Sequence, residues 1–417
     1  MKKLFLIIYF LFYGYFFLYC QNYLIFRGII KDQDSKEALA FASICIQNEY
    51  IGTMSNENGK FDFKFLEKFK KDTLNISYMS YEVLKKPISK LDFKEKKYHV
   101  FYLKKSDIQL LPITIIADKI TAREIVNKAV KKIPDNYYKS EHLMESYFIS
   151  EDLHYKNGGI SEKMKTEAAV EIYNPKYKKI RKISRIGKIK VEENFKILGI
   201  KKETSINDYE NSFFSIYGNA IRGVIINNIF RYDNPHNRSF LKKRKNKIFD
   251  FKIKSQFTYN ENLIYKISFK LKKIQKGLFN SKTKIYGDIY IRQKDYAILG
   301  IEYFRYVNTN FEEIFSHQKI EYKDYKGKLF LSYISSDNKT KVLDTEEYVP
   351  DSTKQNIKLL INKIKLENFT KIEKNKKDFD THLNFQNNLK YIPEFWENYN
   401  YILDTISFQK KEFDFKN

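Results

Sequence analysis

One spacing in this chain invites a catalytic reading. It is His142-Leu143-Met144-Glu145, because His-x-x-Glu can supply two ligands to a zinc ion that activates water. That chemistry needs both side chains on one face, a third ligand and a general acid or base. Residues 141–150 read as a strand, in which positions three apart point to opposite faces, so the pair does not converge. The remaining histidines, His99, His154, His236, His317 and His382, are scattered without metal-ligand spacing and read as surface or strand histidines. No Gly-x-Ser-x-Gly nucleophile elbow and no phosphate-cradling glycine loop occurs, and only 14 glycines are present. No catalytic, cofactor-binding or metal residue is therefore named. No cofactor and no enzymatic activity is expected.

Net charge is +25, from 76 Lys and Arg against 51 Asp and Glu. Such a balance would suit a polyanion, but a binding footprint is a clustered patch, and these cations are spread along the chain. Lys, Asn, Ile, Tyr and Phe are in excess together, as AT-rich codons produce. Lys176-Tyr177-Lys178-Lys179 interleaves cations with an aromatic ring, as a nucleic-acid stacking surface would. The 33 Tyr and 35 Phe equally suit half-buried strands, and no nucleic acid is expected. A concave aromatic sheet would instead suit a lipid or glycan.

The elements that would position any such surface begin after a leader. Lys2-Lys3 precede an apolar run at residues 4–19, shorter than the roughly 20 residues of a spanning helix. This predicts a signal peptide over residues 1–20 with cleavage between Cys20 and Gln21. A lipid anchor at Cys20 is the alternative, although bulky Tyr19 stands where lipoprotein signals want a small residue, and an uncleaved signal anchor is a third outcome. No second run of this kind follows, so no transmembrane helix is expected in the mature chain. The only cysteines are Cys20 and Cys45, which excludes a disulfide scaffold.

From about residue 24 to 116 short strands alternate with turn signals. Phe61, Phe63 and Phe65 alternate with Lys60, Asp62 and Lys64, giving one buried and one wet face, directly after the hairpin signal Asn58-Gly59. Ala42, Ile44 and Ile46 alternate likewise, as do Leu74, Ile76 and Tyr78. The run Phe26-Arg27-Gly28-Ile29-Ile30-Lys31-Asp32, then Glu37-Ala38-Leu39-Ala40-Phe41-Ala42-Ser43-Ile44, Gly52-Thr53, Asn58-Gly59-Lys60-Phe61 and Leu74-Asn75-Ile76-Ser77-Tyr78 resembles the carboxypeptidase-regulatory-like domain. Ser80 stands before Tyr81 where that family usually has Gly. The resemblance implies a transthyretin-like, Ig-like β-sandwich over residues 22–117. It also implies a packing or interaction role without catalysis, beside peptidases or in envelope proteins of Gram-negative bacteria.

Residues 118–417 are expected to form an α+β domain of unknown function. Thr121-Ala122-Arg123-Glu124 is a capping box, and Ile125, Val126, Ala129, Val130 and Ile133 make one apolar helix face that Pro134 and Asn136 close. Period-two alternation then predicts strands near residues 249–259, 265–271, 285–291, 298–306, 319–325 and 328–335. Short connections at 259–262 and 324–327 make neighbours antiparallel. Residues 201–245 read poorly; 221–229 is an apolar run of either type. This order resembles the unnamed second domain that follows the sandwich in certain envelope proteins and, at fold level only, the half-barrel of periplasmic lipoprotein carriers. The fold class is thus mainly β, a sandwich followed by an amphipathic helix and a curved antiparallel sheet. The leader and the resemblance together predict an exported, non-catalytic binding or assembly module. It would sit in the periplasm or at the outer membrane, with an envelope protein or outer-membrane component as partner. Alternative readings are a periplasmic carrier of a lipophilic ligand and an envelope hydrolase.

Overall fold

The computed structural model describes residues 22–93, 98–106, 108–109, 120–176, 194–205, 239–241, 246–276, 281–343, 351–372 and 391–403. The leader with Cys20, most of residues 201–245 with the 221–229 run, His236, His382 and residues 177–179 lie outside them. Among the described residues no helix is long and apolar enough to cross a membrane.

The first strands are β1 (Tyr23–Asp32), β2 (Ser43–Ile46), β3 (Gly52–Met54), β4 (Lys60–Leu66), β5 (Thr73–Ser77), β6 (Leu84–Pro87) and β7 (His99–Leu103). They form a three-stranded sheet, β4-β1-β7, facing a four-stranded sheet, β3-β2-β5-β6. The alternation seen in the sequence fills the space between them: Phe26, Ile30, Ile44, Phe61, Phe63 and Ile76 are wholly buried in one cluster. Before β4 the Asn56 carboxamide accepts the N–H groups of Asn58 and Lys60. Gly59 alone of the Asn58-Gly59 pair takes positive φ, at 73°, and a Cβ there would lie 2.4 Å from the Ile30 carbonyl.

Asp32 at the end of β1 gathers the domain's loops. One carboxylate oxygen accepts the N–H groups of Asp34 and Ser35, and the other accepts the Tyr81 hydroxyl at 2.6 Å and lies 3.2 Å from the Lys105 ammonium. These contacts, that of Tyr81 foremost, hold the Asp32 carboxyl well below the usual carboxylate range. Ser80 adopts φ 71°, so the backbone keeps the left-handed turn that glycine usually supplies there, and its carbonyl accepts the Ser106 N–H.

The rest of the chain supplies β8 (Ile108–Gln109), helix α1 (Ala122–Asn136), β9 (His142–Lys156), β10 (Gly159–Asn174), β11 (Asn194–Ser205), β12 (Phe249–Tyr259) and β13 (Asn262–Leu271). It continues with β14 (Gln275–Lys276), β15 (Lys282–Arg292), β16 (Ile298–Asn308), β17 (Glu312–Tyr325), β18 (Lys328–Val342), β19 (Ser352–Lys365) and helix α2 (Pro393–Asn398). All its strands join one antiparallel sheet in the order β11-β10-β9-β19-β18-β17-β16-β15-β13-β12-β8, with β14 beside β15. The β12–β13 and β17–β18 hairpins turn at Asn260-Glu261 and Lys326-Gly327, all four at positive φ, the twist that tight hairpins require. Strand β17 starts earlier and β18 and β9 run longer than alternation alone indicated. Their polar ends are held by neighbouring strands on both sides, so the ladder outlasts the apolar pattern.

Helix α1 starts at the capping box: Glu124 donates its N–H to the Thr121 hydroxyl, and the Glu124 carboxylate accepts the Thr121 N–H at 2.7 Å. Pro134 lies inside the last turn and does not end the helix, which closes at Tyr137. Ile125, Val126 and Ala129 are fully buried against the sheet in a cluster with Phe249, Phe257 and Ile267. Arg123 ties the same face down by donating to the carbonyls of Asn246 and Phe249.

The opposite sheet face receives the sandwich and the segment around α2. Met54 of β3 joins Tyr147, Tyr333, Leu360, Trp396 and Tyr399 in a second core, while the Tyr50 hydroxyl donates to the Leu331 carbonyl. This packing corrects one sequence expectation. Lys64, placed on a wet face by alternation, is only 6 % exposed, because residues 396–400 lie over it and accept its ammonium with the carbonyls of Trp396 and Tyr399.

Candidate binding groove beside the sandwich

Antiparallel register sets two rows of side chains across the sheet, on the face that also receives the sandwich. One row runs Lys252, Ser268, Asp288, Glu302, Lys319, and the next Asp250, Lys270, Tyr286, Phe304, His317, Asp337. Cross-strand neighbours stand about 5 Å apart, so the rings of the second row meet. Tyr286 and Phe304 stack with centroids 5.1 Å apart and planes 18° from parallel; Phe304 and His317 stack at 4.3 Å and 7°. Gly287, on the other face between Tyr286 and Asp288, lets β16 approach: a Cβ would lie 2.2 Å from the Glu302 carbonyl oxygen.

His317 is held from both sides. Its Nε2 donates to Glu302 Oε1 at 2.9 Å and its Nδ1 faces Asp337 Oδ2 at 3.6 Å. Burial opposes the imidazolium charge, but the two carboxylates outweigh it and raise the pKa to about 9, so the ring is cationic at neutral pH. Its hydrogen bond in turn draws the Glu302 carboxyl below its ordinary range. Asp288 is fixed by the Ser268 hydroxyl at 2.6 Å and the Lys266 ammonium at 3.1 Å.

Of these two rows Asp250, Lys252, Lys270, Tyr286, Glu302 and Phe304 line an open groove of about 520 Å³, with Tyr286 at 46 % exposure in its wall, while His317 stands behind Phe304 outside the lining. A smaller cleft of about 200 Å³ adjoins it between the Tyr78–Ser80 turn of the sandwich and Lys266, Tyr290, Lys319 and Glu321 of the sheet, and Glu302 lines both. In that cleft the Lys319 ammonium pairs with Glu321 at 2.8 Å and lies 5.4 Å from the Tyr78 ring centre. The set has charged groups and stacked rings but no nucleophile poised against a base. What such a set can do is recognise a ligand by stacking and hydrogen bonding.

His142 and Glu145, the pair whose spacing suggested zinc, are occupied elsewhere. His142 is buried beside Tyr138 and Phe330 with Nδ1 at the Ser140 carbonyl, and Glu145 pairs with Lys365 at 2.6 Å. His99 stacks on Phe26, and His154 meets Glu162 at 2.9 Å. His317 is thus the histidine that fixes two groove residues, Glu302 by its hydrogen bond and Phe304 by stacking, and sequence reading missed it. Its partners Glu302 and Asp337 become neighbours only through register across β16, β17 and β18.

No curated protein and no solved structure matches this chain. Residues 26–115 match the family model of the CarboxypepD_reg-like domain, and the sandwich is therefore a carboxypeptidase-regulatory-like domain, carried beside a large antiparallel sheet.

Proposed function

We propose that this chain is an exported, non-catalytic binding module of the cell envelope, in which the sandwich braces the large sheet and the groove beside it receives a partner. The observation that carries the reading is the stacked row Tyr286, Phe304 and His317 on an open face, outside all three hydrophobic cores. The leader pattern at residues 1–20 supports the location. A carrier of lipophilic cargo would use an enclosed apolar cavity, whereas both clefts described are open and rimmed by charged side chains. The test is fractionation of cells making the full chain, with a photo-crosslinking residue at position 286. We expect a shortened chain in the envelope fraction and a discrete adduct that Phe304→Ala weakens. Intact chain in the cytoplasm, or an adduct no different from that at exposed Lys85 on the sandwich, overturns the proposal.

A further inference from the structure

Among the described residues no ring continues the row beyond Tyr286. Tyr286 gives one face to Phe304; its other face turns toward β13, where Lys270 is the register neighbour and the groove opens. A flat, largely apolar ring entering there would continue the stack Tyr286, Phe304, His317. Around that position the polar lining is balanced: ammonium groups of Lys252, Lys254 and Lys270 alternate with carboxylates of Asp250, Asp288 and Glu302.

That combination selects among ligands. A polyanion such as a nucleic acid or a uronic-acid polymer would meet the carboxylates of Asp250, Asp288 and Glu302 among the cations and gain less than at an all-cationic patch. An acyl chain would cover the apolar part of the lining but desolvate the ammonium and carboxylate groups around it without replacing their hydrogen bonds. A pyranose ring offers an apolar C–H face to the tyrosine, and around its edge hydroxyl groups that donate to carboxylates and accept from ammonium groups. The volume, about 520 Å³, lies within the roughly 300–1,000 Å³ usual for small-ligand sites. Asp288 and Glu302 are already fixed by Ser268, Lys266 and His317, so the acceptors need no reordering when a sugar arrives.

We infer that the groove binds an uncharged saccharide, one ring stacking on the open face of Tyr286 and its hydroxyls bridging the lysines and carboxylates. This rests on the binding-module reading above and names the ligand class for the same site. The test uses the full chain in calorimetric titration with neutral hexasaccharides of glucose, mannose and N-acetylglucosamine, and with polygalacturonate, at low and high salt. We expect one neutral series to bind, with affinity unchanged by salt, weakened about tenfold or more by Tyr286→Ala and kept by Tyr286→Trp. Absence of neutral-glycan binding, binding indifferent to Tyr286→Ala, or binding of polygalacturonate alone that salt abolishes overturns the inference. A protein adduct at position 286 without glycan binding sinks the saccharide assignment and leaves the binding-module reading standing. The Tyr286→Trp variant separates loss of stacking from loss of folding.

Discussion

The side-chain amide of Asn400 pairs with both backbone groups of Lys64: its Oδ1 accepts the Lys64 N–H at 2.8 Å and its Nδ2 donates to the Lys64 carbonyl at 2.9 Å. Strand β4 is an edge of the sandwich, and an edge leaves a row of unpaired peptide groups. One asparagine thus acts there as a neighbouring strand would. Asn362 on β19 in turn donates to the Asn400 carbonyl, so this one residue is bonded to sandwich and sheet together.

Removing that amide should be expensive. Asn400→Ala leaves a buried N–H and a buried carbonyl at Lys64 without partners and is expected to cost about 2–3 kcal/mol. Urea denaturation of the full chain checks it; an unchanged midpoint would refute the role given to Asn400.

Ser80 predicts the opposite sign. A residue with a Cβ at φ 71° carries conformational strain that glycine lacks, so Ser80→Gly should stabilise the sandwich by about 1 kcal/mol despite the added freedom of the unfolded chain. The readout is the thermal midpoint, and a fall in it would show that the serine is favoured by something other than backbone geometry.

Helix α1 is held by its buried face. Ile125→Asp places a carboxylate among apolar side chains and is expected to cost about 4 kcal/mol, whereas Lys128→Gln on the exposed side should stay within about 0.5 kcal/mol. Equal melting of the two variants would mean that the helix does not dock as described.

His317 gives a pH signature. Its folded pKa of about 9 lies above the ordinary value near 6.5, so the charged ring contributes stability that is complete below about pH 6.5 and disappears as pH rises through about 9. Partial solvent exposure limits this to about 1–2 kcal/mol. The stability gap between the native protein and His317→Asn should therefore be level in mild acid and close between about pH 6.5 and 9. A gap that widens with pH would reverse the assignment.

The parts legible in the sequence are those whose cause is local. Phe61, Phe63 and Phe65 face the sandwich core because strands alternate, the Thr121–Glu124 box caps α1 because its groups lie within one turn, and the β12–β13 and β17–β18 hairpins follow from short connections, whereas the Asn58-Gly59 turn joins strands of different sheets and closes no hairpin. The motif resemblance also located Ser80 as the odd residue, and the structure explains it through the same left-handed turn. Lys64 could not be read this way, since what buries it lies more than 300 residues further on. The groove was equally hidden. Tyr286, Phe304 and His317 look unremarkable in their own strands, and only the register of β15, β16 and β17 makes them one surface.

The Asn400 contact also sets a timetable. It spans 336 positions, so as the chain emerges N-terminus first, from the ribosome or across a membrane, the β4 edge precedes the residue that closes it, by tens of seconds at a synthesis pace of about 5–20 residues per second. Pairing with β1, whose residues 23–29 meet 60–66 across β2 and β3, still fits within that interval, because β-rich domains fold in about milliseconds to seconds. A nascent chain therefore holds a formed but open strand edge, the kind that recruits other chains. Lys64 sits on that edge, and until the carbonyls of Trp396 and Tyr399 arrive its ammonium stays hydrated and repels a second copy of the same edge. The same charge serves first as a guard against association and afterwards as the anchor of the closed form.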